Sequence, residues 1–325
     1  MPFPASVTTV TTLVAVIALA GCAALVDNRA DRRESEWMQD FPPIGQFVEV
    51  EGHRIHILVT GRERGTAPDL VLIHGANGNL RDFTFDLVEL LEDDYRIIAV
   101  DRPGLGWSDS WGDADSDPRL QARVLHDAVE QVGVRRPIVL GHSYGGAVAL
   151  AWALQNQRDT AGLVLVAAAS EPWEGGLSFW YGLNETPLGT PARAIVTAFA
   201  TESAINAALD KVFEPEAVPA GYGEEFGVGL SLRRESQENN NRQVNALLDY
   251  IVQMQPEYPS LTLPIEMLHG DADTIVGLDI HSRRFVGEVA SANLTVIPGA
   301  GHMLHHTHSQ AVIDAINRVR RRSGR

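Results

Sequence analysis

Cysteine is nearly absent from this 325-residue chain. Cys22 is the only one, which excludes an intramolecular disulfide and any metal site built from several thiolates. An excess of basic charge is also missing. The chain has 26 Lys and Arg against 42 Asp and Glu, a formal net charge of −16. Such a composition does not supply the basic face that phosphate backbones require, so nucleic acid is excluded as a partner. The one basic run, RVRRRSGR at the carboxyl end, reads as a solvated helix terminus and tail. No internal repeat is present, and the only biased tract is the short run Glu238–Asn241, which reads as a loop. What remains is an ordinary globular composition, 45% hydrophobic and 21% charged, long enough to bury a core without disulfides or metals.

Charge is locally missing as well. From Ala5 to Val26 no residue is charged, and the apolar run ends in Leu19-Ala20-Gly21-Cys22. This ending resembles the lipobox of bacterial lipoproteins, in which the cysteine is acylated and becomes the new amino terminus. The resemblance implies that residues 1–22 are an export signal, that Cys22 is lipidated, and that the rest is exported and membrane-anchored, facing the periplasm or the cell exterior. The segment MPFPASVTT lacks the Lys or Arg with which such signals usually begin. Two alternatives stay open: cleavage of a secreted protein after Ala18-Leu19-Ala20, and an uncleaved membrane-spanning helix. Residues 23–45, charge-dense and closed by Pro42, Pro43 and Gly45, read as a tether.

The folded part is expected from Gln46. QFVEVEGHRIHILVTG carries alternating apolar residues around Glu51-Gly52, a hairpin signal. DLVLIHG, RIIAVDRPG, PIVLGH and AGLVLVAA read as strands buried on both faces of a parallel sheet. Between them LRDFTFDLVELLEDD, with Phe83, Leu87, Leu90 and Leu91 on one side, residues 117–132 and YGGAVALAWALQN read as helices. This alternation predicts an α/β protein with a mostly parallel sheet. It covers residues 46–169, stops over 170–261, where only amphipathic pieces such as PARAIVTAFATESAINAALDKVF and NRQVNALLDYIVQM occur, and resumes over 262–325. The middle segment therefore reads as a helical insertion. LPIEMLHG and NLTVIPGAGH are the returning strands; LDIHSRRFVGEVA and SQAVIDAINRVRRR are helices.

GHSYGG places Ser143 between a buried strand and a helix whose near face is small. A sharp strand-to-helix turn forces its central residue into strained backbone angles and brings Gly141 and Gly145 together, so the serine is displayed above the carboxyl end of the sheet. A helix-capping serine is the competing reading. A serine nucleophile needs a base and a group that orients the base. His302 follows the last predicted strand, on the same sheet edge. HGDADTIV supplies a carboxylate between the two in sequence, in the Ser, acid, His order that this motif brings with it.

HGANGN, DRPGLGWSD, GHSYGG, HGDADTIV and GAGHMLH, each after a predicted strand and in this order, resemble the α/β-hydrolase superfamily over residues 46–325. The resemblance implies an α/β-hydrolase fold with a mostly parallel eight-stranded sheet, helices on both faces and a helical cap at 170–261. It also implies Ser143 as nucleophile, Asp273 as acid and His302 as base, with the backbone N–H groups of Ala76 and Tyr144 as oxyanion hole. Asp271 is the alternative acid, and His74 an alternative catalytic histidine. Asp101 and Arg102 read as structural turn residues. His302, His305, His306 and His308 invite a metal reading, but no acid or cysteine accompanies them in sequence, so no metal is expected.

Serine at the turn excludes the superfamily chemistries that use a carboxylate nucleophile, and implies an acyl-enzyme without cofactor. Hydrolysis of a carboxylic ester of a small or medium apolar substrate is the expected activity. The alternatives are a carbon–carbon bond hydrolase of the meta-cleavage type, a perhydrolase or haloperoxidase-like activity, and a non-catalytic surface binding protein. Trp173, Phe179, Trp180, Tyr181, Phe199, Phe213, Tyr222 and Phe226 of the insertion are candidates for an apolar pocket; most are expected to pack the cap.

Overall fold

A computed structural model describes residues 5–324, with side chains from Ala20 onward. The strand runs form one sheet: β1 (Gln46–Val50), β2 (His53–Gly61), β3 (Asp69–Ile73), β4 (Arg96–Val100), β5 (Ile138–His142), β6 (Gly162–Val166), β7 (Ile265–Gly270) and β8 (Ala292–Ile297). Their spatial order is β1-β2-β4-β3-β5-β6-β7-β8. β1 pairs antiparallel with β2, and β2 with β4; every other pairing is parallel. The hairpin turns at Glu51 and Gly52, with φ of 54° and 82°, the left-handed pair that matches strand twist in a two-residue loop.

The helices of ten or more residues are α1 (Ala5–Asp40), α2 (Pro118–Gln131), α3 (Tyr144–Asn156), α4 (Gly189–Phe199), α5 (Glu202–Phe213), α6 (Arg234–Met254) and α7 (Ser309–Arg322). Helices cover both faces, which is why β3 to β7 are buried at every residue. Val71, Val139 and Leu163 pack with α2 and α3 on one face. Leu70, Leu140 and Val164 pack on the other with α7 and the short helix Leu87–Leu91. α2 begins where Asp117 accepts a hydrogen bond from the Arg119 N–H and Pro118 opens the first turn, both strong start signals.

Several sequence expectations are corrected here. The segment 81–91 is two helices, Arg81–Thr84 and Leu87–Leu91, broken before Asp86, and Leu90 is 51% exposed rather than packed. The carboxylate of Asp86 turns to His306 instead. LDIHSRRFVGEVA is helical only over Ser282–Glu288. The amphipathic piece at 191–213 splits at Thr201, whose hydroxyl caps α5 by accepting from the Ala204 N–H. Glu238–Asn241 is not a loop. It lies within α6, with Asn239, Asn240 and Asn241 buried; Asn239 donates to the Gly104 carbonyl and Asn240 accepts from the Asn77 N–H.

The tether is the largest correction. Residues 23–40 continue α1, which ends just before Pro42-Pro43, where proline stops a helix. This part of α1 docks on the insertion. Arg29 Nε donates to the Ala198 carbonyl at 2.6 Å, and the Arg234 guanidinium meets Asp27, Asp31 and Glu34. Trp37 packs so closely on Gly229 that any side chain there would collide with its ring. A charge-dense segment is thus held by a partner whose charges are far away in sequence. The expected signal largely falls outside the described residues: residues 1–4, and all side chains up to Leu19. Among the described residues no helix is long and apolar enough to cross a membrane. Cys22 is a free, exposed cysteine on α1.

Candidate active site

Ser143 stands where β5 ends and α3 begins, with φ 53° and ψ −119°. These are angles a non-glycine residue adopts only when its surroundings force them. The surroundings are visible: a Cβ on Gly141 would strike the Gly145 carbonyl, and one on Gly145 would strike the Ile73 carbonyl. The chain can make this turn only with hydrogen at both positions. The capping reading fails, since the Ser143 side chain makes no cap hydrogen bond to α3.

His302, in the loop after β8, is held through Nδ1 at 2.8 Å from Asp273 Oδ2. Asp273 follows β7 and is itself anchored: Oδ1 accepts from the N–H groups of Ile275 (2.8 Å) and Val276 (3.0 Å). His269 Nε2 lies 3.3 Å from Oδ2. Burial works to raise the Asp273 carboxyl, but hydrogen bonds from His269, His302 and the Val276 N–H outweigh it and hold the group ionised, below the usual carboxylate range. Asp271 accepts instead from the Gly299 N–H at 2.6 Å, so it is Asp273 that faces His302. No hydrogen bond joins Ser143 to His302 among the described residues. Contacts of this kind commonly close only with substrate in place.

His74 is not a free base. Its Nε2 accepts from the Arg102 N–H at 3.0 Å, which leaves Nδ1 to donate to the Gly75 carbonyl at 2.9 Å. Burial and the nearby Arg102 lower its pKa to about 4, so it is neutral. Arg102 is fully buried and donates to the same Gly75 carbonyl at 3.1 Å. A trans peptide directs its N–H opposite to its C=O; with the Gly75 oxygen held from behind, the Ala76 N–H faces away from those two donors. Ala76 and Gly75 line a cavity together with Ser143 and His302.

That cavity has a volume of about 520 Å³, within the range of small-molecule sites. The insertion supplies most of its wall, including Val196, Ile205, Leu209, Val212 and Val228. Of the eight candidate aromatics, Trp180, Tyr181, Phe213, Tyr222 and Phe226 line it, more than expected. Phe179 and Phe199 are exposed and Trp173 packs near His281. Among the lining residues there is no Lys or Arg, and Asp82 is the only carboxylate.

Sequence reasoning missed Asp82. It accepts from Tyr222 (2.7 Å), His306 Nε2 (2.9 Å) and His305 Nε2 (3.0 Å). The histidines that appeared to lack acids in sequence find one 223 residues away. His306 also places Nδ1 3.1 Å from Asp86. Two carboxylates, one at each ring nitrogen, require both nitrogens to carry protons. Burial opposes the charge, but the bonds to Asp82 and Asp86 prevail and the pKa rises to about 9.

A serine lifted off the end of a parallel sheet, a carboxylate-held histidine and an apolar cavity above them are the parts of a serine-type hydrolytic site. The chain belongs to the alpha/beta hydrolase family, whose model matches residues 70–315, and it is a hydrolase. A 2-hydroxy-6-oxononadienedioate/2-hydroxy-6-oxononatrienedioate hydrolase of Klebsiella pneumoniae is 26% identical over 79% of this chain and 88% of that protein. The esterase RhEst1 from Rhodococcus sp. ECU1013 superposes with a TM-score of 0.66 at 21% identity, covering 85% of this chain and 98% of that one. A bacterial membrane phospholipase A does so with a TM-score of 0.59 at 22% identity, covering 95% and 99%.

Proposed function

We propose that the protein is a serine hydrolase of carboxylic esters with an apolar acyl chain, acting through an acyl-enzyme. Ser143 Oγ attacks the carbonyl, His302 takes its proton and Asp273 holds the imidazole in the orientation and tautomer required. The N–H groups of Ala76 and Tyr144 receive the oxyanion. His302 then protonates the leaving alcohol and activates the water that releases the acid. The helices of residues 170–261 act as a cap whose inner wall is the acyl site.

The observation that carries the ester reading is the charge of the cavity. The Klebsiella relative is named for a dianionic substrate. A dianion placed here would meet no cation among the lining residues, and would face Asp82, an arrangement that desolvates charge without pairing it. An alkyl chain meets no such penalty. Each methylene moved from water to such a wall is worth about 0.8 kcal/mol, up to about fourfold in kcat/KM. The test is a p-nitrophenyl ester series from acetate to octanoate, with a 2-hydroxy-6-oxo-dienedioate assayed beside it. The specificity constant is expected to climb along the series and the dienedioate to be inert. Dienedioate cleavage exceeding that of every ester would sink the reading.

We further read the amino-terminal segment as an export signal ending in a lipid-bearing Cys22, with the enzyme exposed outside the cytoplasm. The docking contacts of Asp27, Arg29, Asp31, Glu34 and Trp37 all follow Cys22, so cleavage before it leaves these contacts intact. Mass spectrometry of the mature amino terminus is expected to find acylated Cys22; an unmodified Cys22 within an uncleaved chain contradicts this.

A further inference from the structure

Resting on the acyl-enzyme reading above, we infer that the cap positions the oxyanion hole, through Asn240 and Gln243 of α6. Asn77, the residue after the Ala76 donor, has φ 53°, a left-handed conformation that needs support from its neighbours. Its support comes from the cap. The Asn77 N–H donates to Asn240 Oδ1 at 2.7 Å, and its carbonyl accepts from the Ser231 hydroxyl at 2.5 Å. Both backbone polar groups of the residue following the donor are therefore satisfied by residues of the insertion.

The other side of the donor is tied to the same helix. The Gly75 carbonyl, which shares a peptide plane with the Ala76 N–H, is held by Arg102. The Arg102 Nη1 in turn donates to Gln121 and to Gln243, each at 2.9 Å. Gln243 is fixed by donating its own amide to the Pro103 carbonyl at 2.8 Å and to Asp115 Oδ1 at 3.1 Å. The Arg102 guanidinium also lies 4.1 Å from the ring centre of Tyr144, the residue that supplies the second donor. Asn240 and Gln243 are three residues apart and so share one face of α6. That face meets the loop directly at Asn77 and reaches Gly75, on the other side of Ala76, through Arg102. The cap thus has two tasks, forming the acyl wall and holding the donor loop in the geometry the tetrahedral intermediate needs.

Asn240→Leu removes the acceptor at nearly constant shape; Asn240→Asp keeps an oxygen for the Asn77 N–H. Octanoate ester kinetics are measured for both, with the affinity of an alkyl trifluoromethyl ketone, which forms a tetrahedral adduct, and of octanoic acid, which does not. Loss of one oxyanion donor costs about 10²- to 10³-fold in kcat, and a misplaced one should cost less. Asn240→Leu is expected to lower kcat and ketone affinity together by roughly tenfold or more, leaving KM and octanoic acid binding within about twofold, and Asn240→Asp to recover most of the loss. An active wild type with an unchanged Asn240→Leu kcat, a change confined to KM, or an Asn240→Asp as impaired as Asn240→Leu each overturn the inference. An inactive wild type overturns the ester reading instead. Should Asn240→Leu be recovered unfolded, Gln243→Met, which acts on the same peptide through Arg102, is put to the same criteria.

Discussion

Replacing Ser143 by alanine should abolish ester turnover, with kcat reduced by at least about ten-thousandfold, while the protein stays folded. The size follows from what the serine does. Without Oγ there is no covalent path, and only binding and the oxyanion donors remain to accelerate direct attack by water, a residue typically of about 10³- to 10⁴-fold over the uncatalysed reaction. Stability should barely change, because Ser143 Oγ makes no cap bond and alanine must adopt the same strained angles. Asp273→Asn should behave differently: it leaves Ser143 in place but disturbs the histidine's tautomer, so activity falls steeply without vanishing. Circular dichroism and kcat on purified variants check both, and a Ser143→Ala enzyme that retains a few per cent of wild-type turnover would remove Ser143 from the mechanism.

Asp82→Ala should cost about 3–5 kcal/mol of stability, the usual result of removing one partner from a buried charged network. For a chain of this size that lowers the melting temperature by about 4–7 °C. The loss is large because one carboxylate serves Tyr222 of the 170–261 segment and His305 and His306 after β8. Its removal leaves a buried imidazolium with Asp86 alone. The same network fixes the pH dependence. His306 has a folded-state pKa raised to about 9, above its unfolded value near 6.5. Its contribution is therefore complete below about pH 6.5 and is lost as pH rises through about 9. Asp82 is shifted the other way. Burial opposes its ionisation, but His305 and His306 hold it well below the ordinary carboxylate range, so its share is present above about pH 4 and disappears as acid is added. Wild-type stability should have a plateau between these limits and fall towards pH 9. Urea unfolding at pH 6 and pH 9 should show that decline in the wild type and a shallower one in Asp82→Ala; equal slopes would rule out His306 as the titrating group.

The sheet and the serine turn were legible because their causes are local. Uninterrupted runs such as RIIAV and GLVLV leave little choice but burial on both faces, and Gly141 and Gly145 flank Ser143 where only hydrogen fits. His302 and Asp273 were legible through order and strand-end position. The parts that escaped depend on partners far away in the chain. Asn239 and Asn240 read as a loop because polar amides satisfy no helical core; in the fold they reach Gly104 and Asn77, and α6 buries a polar face. The signal available was the helix NRQVNALLDYIVQM, which extends backward through Asn240 to Arg234 without a proline or glycine. His305 and His306 looked like a cluster lacking acids until the helix Arg81–Thr84 brought Asp82 to them. Charge density at 23–40 suggested a solvated tether, whereas Arg234 gathers three of its acids.

An acyl-enzyme on Ser143, formed from an apolar ester, can be trapped. Wild-type enzyme is mixed with p-nitrophenyl octanoate, quenched in acid during turnover, digested and sequenced by mass spectrometry. An octanoyl group is expected on Ser143, in the peptide containing GHSYGG, and none in Ser143→Ala. An octanoyl group borne by any other residue during productive turnover, with Ser143 unmodified, would contradict it.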